Sequence, residues 1–165
     1  MSALPDDLTR EAADLLEQCK AAGMMLATAE SCTGGLIVGC LTEIAGSSAV
    51  VDRGFVTYSN EAKNEMLGVP MDLIIEHGAV SEPVARAMAE GALARSRAQI
   101  TVAVTGVAGP GGGSAAKPVG LVHFGCARRS GETVAAHHVF GGDRTAIRLE
   151  TVRTALAMIR ARLSG

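Results

Sequence analysis

Apolar positions recur at helical spacing from the start of the chain. Leu8, Ala12, Leu15 and Cys19 share one face of "DDLTREAADLLEQCKAAG", with Asp6 or Asp7 placed to cap it and Gly23 to end it. "MMLATA" (24–29) is short, apolar and followed by a turn, the pattern of a buried strand, and "GGLIVGCLTEIAG" (34–46) then reads as a helix. "AVVDRGFVTYS" (49–59) alternates imperfectly and predicts a strand, with Gly54 as a position for a bulge. Ser59 caps a short helix through Lys63 and Met66 that Gly68 and Pro70 end, and "MDLIIEHG" adds one or two helical turns. "SEPVARAMAEGALARSRA" (81–98) predicts a helix with Ser81 as N-cap and Pro83 in its first turn.

The second half changes period. "ITVAVTG" (100–106) is a β-branched buried strand, and 106–120 is a long glycine-rich loop. "LVHFGCAR" (121–128) and "ETVAAHHVF" (132–140) form a hairpin around "RSGE". From Asp143 to Leu163 an amphipathic helix places Leu149, Val152, Leu156, Ile159 and Leu163 on its core face. The order α-β-α-β-α-α-β-β-β-α predicts an α/β fold, a three-layer α/β/α arrangement in which one mixed sheet is covered by helices on both faces. The length, 165 residues, suits a single domain spanning 1–165.

Composition narrows the classes of function. Apolar residues make up 48% of the chain and aromatics 2%, so the core rests on Ala, Val, Leu, Ile and Met. A formal charge of -2 and no basic, aromatic-rich strip argue against a nucleic-acid binder. No apolar run approaches the roughly 20 residues of a membrane span, and the charged N-terminus has no signal-peptide pattern. Cys19, Cys32, Cys40 and Cys126 lack metal-ligand spacing and read as reduced, buried thiols of a cytoplasmic protein. His137 and His138 are neighbours on a strand and face opposite ways, so no metal site is read there.

Four places can carry chemistry. Ser31, Cys32 and Thr33 lie between a strand end and a helix start, where an α/β sheet binds ligands and a helix N-terminus can stabilise an oxyanion. Ser31 or Thr33 is either a cap of that helix or a nucleophile. Tyr58, Ser59 and Lys63 lie where a strand leads into a helix; a desolvated lysine is a general base and a tyrosine a proton shuttle, or the pair is a surface lysine with a capping serine. "TGVAGPGGG" exposes backbone amides to a phosphate or is a mobile connection. In "GGDRTAIR", Arg144 is a fork donor for a phosphate or carboxylate, or part of a solvated face.

Together, "TAESCTGG", "GSSAVVDRGFVTYSNEAKNEMLGV", "HGAVSEPVARAMAEGAL", "AVTGVAGPGGG", "KPVGLVHFG" and "GDRTAIR" resemble the C-terminal domain family of the competence/damage-inducible protein CinA, from about residue 8 to 160. Stand-alone members of that family are nicotinamide-nucleotide amidohydrolases of the PncC type. The resemblance implies deamidation of nicotinamide mononucleotide to nicotinic acid mononucleotide and ammonia, in pyridine-nucleotide salvage. It implies Ser31 as attacking hydroxyl, with Lys63 and Tyr58 activating it. Ser48, Thr33, Gly34, Thr105, Gly106 and Arg144 would bind substrate, with no metal and no cofactor. It further implies a homo-oligomer; full-length members carry an extra N-terminal domain of molybdopterin-binding type, which this sequence is expected to lack. Readings from other classes are a non-catalytic nucleotide-binding module and a competence- or damage-related interaction module exploiting the apolar surface that a positive mean hydropathy allows.

Overall fold

A computed structural model describes residues 2–164. The elements are α1 (Asp6–Ala22), β1 (Leu26–Glu30), α2 (Leu36–Thr42), β2 (Val51–Val56), α3 (Asn60–Leu67), α4 (Met71–His77), α5 (Glu82–Ala94), β3 (Ile100–Gly106), β4 (Leu121–Arg128), β5 (Val134–Val139) and α6 (Arg144–Arg162), with a 3-10 turn at Ser47–Ala49. The five strands form one sheet in the order β2-β1-β3-β4-β5. β1 is parallel to both β2 and β3, and β3-β4-β5 is antiparallel, so the sheet is mixed as expected.

Strand alternation divides the residues between two unlike cores. Ile100, Val102 and Val104 of β3 join Leu26, Val122, Phe124 and Cys126 under α1, α2 and α6. The other face of the sheet is built small. Ala29, Ala103 and Ala127 lie there beneath Val84, Met88, Ala89 and Ala92 of α5, with Leu67 and Ile74 from α3 and α4. Small side chains let helix and sheet backbones approach closely. A Cβ at Gly125 would stand 2.5 Å from the Ala85 carbonyl oxygen, and one at Gly91 would overlap the Leu67 carbonyl. Gly125→Ala is therefore expected to destabilise the fold by about 1–3 kcal/mol, read as a lower urea midpoint at unchanged slope.

Several boundaries move for local reasons. The helix read over 34–46 begins at Leu36, because Gly34 and Gly35 form a turn with φ +58° and +105°. Such successive left-handed residues favour glycine strongly. The bulge expected at Gly54 is absent there: Gly54 stays opposite Thr28, and the register shifts between Val51 and Arg53. A Cβ at Gly54 would lie 3.0 Å from Thr28 Oγ1 and from Val38, so this glycine serves close packing of α2 on β2. Ser81 occupies the N-cap position of α5, but its hydroxyl donates to the Gly78 carbonyl at 2.8 Å rather than accepting from the helix. Pro5, not Asp6 or Asp7, stands at the N-cap of α1. Ser59 and Asp143 do cap α3 and α6, accepting from the Ala62 and Ala146 amides. No described helix is long and apolar enough to cross a membrane.

The connections place the ligand end of the sheet. The chain passes from β1 to β2 through α2 on one face, and from β2 to β3 through α3, α4 and α5 on the other. Loops leaving β1 and β3 therefore diverge at the carboxyl ends of these neighbouring strands, which is where open α/β sheets bind ligands.

Candidate active site

A cleft of about 270 Å³ opens at that point. The end of β1 contributes Ser31 and Cys32, the segment after β2 contributes Tyr58, Asn60 and Lys63, and the end of β3 contributes Thr105, Gly106 and Ala108. Arg144 from the first turn of α6 completes the rim.

Lys63 lies at its floor. Ser59 starts α3 so that Lys63 and Leu67, four residues apart, share its buried stripe. Lys63 is 1% exposed, and its Nζ lies 3.0 Å from Ser31 Oγ. The Nζ also donates to the carbonyls of Thr57 at 3.0 Å and Tyr58 at 3.3 Å, with the Ser59 carbonyl at 3.5 Å. Among the described residues it forms no ion pair. Burial lowers its pKa from the ordinary lysine value, because the ammonium is desolvated without a carboxylate in return. As a neutral amine, it would have two N–H groups for the Thr57 and Tyr58 carbonyls and a lone pair for the Ser31 hydroxyl.

Ser31 is 8% exposed and follows β1, which the Ser31 amide extends by donating to the Val104 carbonyl at 3.1 Å. Neither Ser31 nor Thr33 caps α2. The N-cap position is Gly35, and the first-turn amides of Ile37 and Val38 donate instead to the buried Glu30 carboxylate at 2.8 and 3.0 Å. This releases the Ser31 hydroxyl for the cleft. Cys32 lines the same cleft, but burial pushes its thiol up to about 11, so it is not a thiolate near neutral pH.

The other expected residues separate into two groups. Thr105 and Gly106 line the cleft, and the Thr105 hydroxyl donates to the Ala79 carbonyl at 3.0 Å. Arg144 reaches across the rim, donating to the Gly109 carbonyl at 2.8 Å and lying 3.5 Å from the Tyr58 hydroxyl. The Tyr58 ring is 64% exposed; its carbonyl, not its phenol, faces the Ser31–Lys63 pair. Thr33 and Gly34 do not line the cleft: the Thr33 hydroxyl donates to Glu30 at 2.6 Å, and Gly34 shapes the turn. Ser48 is exposed on the 3-10 turn before β2, at the opposite end of that strand from Tyr58, roughly 20 Å of strand away. Residues the sequence reading passed over are Asn60, Ala79, Val80 and Ala108 in the lining, and Glu30 behind it. Glu30 carried a signal: a carboxylate at the end of an apolar strand, just before a helix start.

The surroundings of known proteins agree with this architecture. The profile of the CinA C-terminal domain matches residues 8–163. A crystal structure from Agrobacterium tumefaciens, described as competence/damage inducible protein CihA, superposes with a TM-score of 0.97 at 57% identity over the whole of both chains. Nicotinamide-nucleotide amidohydrolase PncC of Escherichia coli is 53% identical over 137 residues, covering 83% of each protein. A competence-damage inducible relative from Symbiobacterium thermophilum is 52% identical over 155 residues, a match covering 87% of this chain and 35% of that longer protein's length. The chain belongs to the CinA C-terminal domain family, and in this chain Ser31 and the buried Lys63 meet at the switch point of the sheet.

Proposed function

We propose that this chain is a nicotinamide-nucleotide amidohydrolase that cleaves the carboxamide of nicotinamide mononucleotide through Ser31. The observation that carries the reading is the 3.0 Å approach of Lys63 Nζ to Ser31 Oγ inside a cleft of mononucleotide scale. Neutral Lys63 takes the Ser31 proton as Oγ bonds to the carboxamide carbon. Charge gathers on the carbonyl oxygen. The amide of Cys32, which makes no backbone hydrogen bond among the described residues, follows the nucleophile in the cleft lining and serves as a donor to it. The C–N bond then breaks, and ammonia departs with the proton that Lys63 held. Water, deprotonated by Lys63, next attacks the acyl-serine; the acyl–Oγ bond breaks as Lys63 returns the proton to Ser31 Oγ, and nicotinic acid mononucleotide is released. The setting is pyridine-nucleotide salvage in the cytoplasm, with the protein as a homo-oligomer.

The substrate phosphate falls to Arg144. Its guanidinium has no carboxylate partner among the described residues and stands at the mouth of the cleft beside the glycine-rich loop. Arg144→Ala is expected to raise KM for the mononucleotide about 10–100-fold with kcat within about threefold, the worth of one charged hydrogen-bond pair. Hydrolysis of the corresponding riboside, which lacks the phosphate, should be unaffected.

The primary test is ammonia release from nicotinamide mononucleotide by the purified chain. Turnover supports the amidohydrolase reading. Binding without turnover by folded protein replaces it with a nucleotide-binding module.

A further inference from the structure

The turn that carries Ser31 is gripped from two sides by charged side chains that do not line the cleft. Glu30, the last residue of β1, is fully buried. Its carboxylate accepts from Thr33 Oγ1 at 2.6 Å, the Ile37 amide at 2.8 Å, the Val38 amide at 3.0 Å and Thr28 Oγ1 at 3.2 Å. From the opposite side Arg148, in the second turn of α6, donates through Nε to the Cys32 carbonyl at 3.1 Å and through Nη2 to the Thr33 carbonyl at 3.0 Å. Arg148 has no ion pair among the described residues; both recorded hydrogen bonds of its guanidinium go to this turn.

This is a costly way to hold a loop. A buried carboxylate without a cationic partner is tolerated here because α2 offers it first-turn amides and the positive end of its peptide dipoles. A neutral cap such as Ser at position 35 would satisfy the helix more cheaply, but position 35 needs φ +105°, which excludes it. With Glu30 as the cap, the backbone from 31 to 35 wraps around the carboxylate, and Arg148 fixes the carbonyls on its outer side.

We propose that Glu30 and Arg148 are positioning residues that hold Ser31 Oγ in line with Lys63 Nζ. This rests on Ser31 being the nucleophile, as proposed above. Neither side chain lines the cleft, and neither bonds to Ser31 Oγ or Lys63 Nζ. The pair's contribution is geometric, and a displacement of about 1 Å at a nucleophile costs on the order of 10²-fold in rate.

The test uses two readouts on the wild type, Glu30→Gln and Arg148→Ala. One is the rate at which a fluorophosphonate labels Ser31, with Ser31→Ala as the unlabelled control; the Oγ–P bond forms as fluoride leaves and the proton passes to Lys63. The other is kcat and KM for nicotinamide mononucleotide. Both variants are expected to label about 10–100-fold more slowly and to lose kcat in the same proportion. KM should stay within about twofold, and the pH midpoint of labelling should stay that of the wild type, since Lys63 keeps its own partners. Labelling at the wild-type rate, or a raised KM with kcat retained, overturns the proposal. If Glu30→Gln does not fold, Arg148→Ala decides alone; loss of folding in both reduces the pair to stability residues and overturns it. Labelling of wild-type Ser31 without hydrolysis of the mononucleotide removes the substrate reading, while the labelling rates still decide this one. Absence of wild-type labelling removes the serine–lysine pair and the positioning claim together.

Discussion

Ser31→Ala is expected to lower ammonia release from nicotinamide mononucleotide by at least about 10³-fold while leaving the fold intact. The size follows from the role: removing the atom that forms the covalent bond leaves only binding and oxyanion stabilisation. The structure gives two reasons for that atom to be Ser31 Oγ. Lys63 Nζ lies 3.0 Å from it, and the neighbouring Cys32 thiol is pushed up to about 11 by burial. Stability should change little, because the Ser31 hydroxyl bonds only to Lys63 and, at 3.5 Å, to the Tyr58 carbonyl. The check pairs an ammonia assay with urea unfolding. Equal turnover by mutant and wild type would remove Ser31 as nucleophile and leave the amidohydrolase standing with another.

Lys63→Met should be as damaging to turnover, about 10³-fold, and it carries a pH signature as well. Burial holds the Lys63 pKa below its ordinary 10.5, so the base form of the wild type grows as pH rises toward that lowered value. Wild-type kcat/KM should climb with pH up to it and then level, and the residual rate of Lys63→Met should lack this limb. Stability follows the same titration. Between the lowered pKa and 10.5, the unfolded chain binds a proton at this lysine that the folded chain does not, so wild-type stability rises with pH across that window. Below the window the full cost of burying an ammonium is present. Methionine does not titrate, so the stability difference, wild type minus Lys63→Met, should increase from pH 7 to pH 10 in urea unfolding. A difference constant with pH would mean that Lys63 is not desolvated in solution.

Much of this architecture could be read from local pattern. β3 and β4 occupy the residues that the β-branched run and the hairpin pattern assigned them, 100–106 and 121–128, because a strand buried on both faces leaves little choice of residue type. Ser59 and Asp143 start their helices as their side chains require. Ser31, Lys63, Thr105, Gly106 and Arg144 were all nameable from strand-to-helix transitions and from the family resemblance, and all line one cleft. Where local pattern misled, a competing hydrogen-bond partner intervened, near in the chain for Ser81 and distant for Asp52. Ser81 turns its hydroxyl to Gly78, and the register shift sits at Asp52, whose carboxylate is occupied by the Arg97 amide. Ser48 was named from the family resemblance alone, and the six-residue strand β2 separates it from the cleft.

The sequence by itself determined the element types, the mixed sheet with helices on both faces, and which strand ends could hold chemistry. These depend on periodicity, glycine and caps, which act over a few residues. Only the tertiary structure decided that Lys63 is the partner of Ser31, that Tyr58 offers its carbonyl rather than its phenol, and that Glu30 and Arg148 grip the turn. The Lys63–Ser31 and Arg148–Cys32 contacts join residues 32 and 116 positions apart in the chain. They arise from the crossing of α2 and α5 over opposite faces of the sheet, which brings the ends of β1, β2 and β3 to one place and buries a lysine there without a counter-charge.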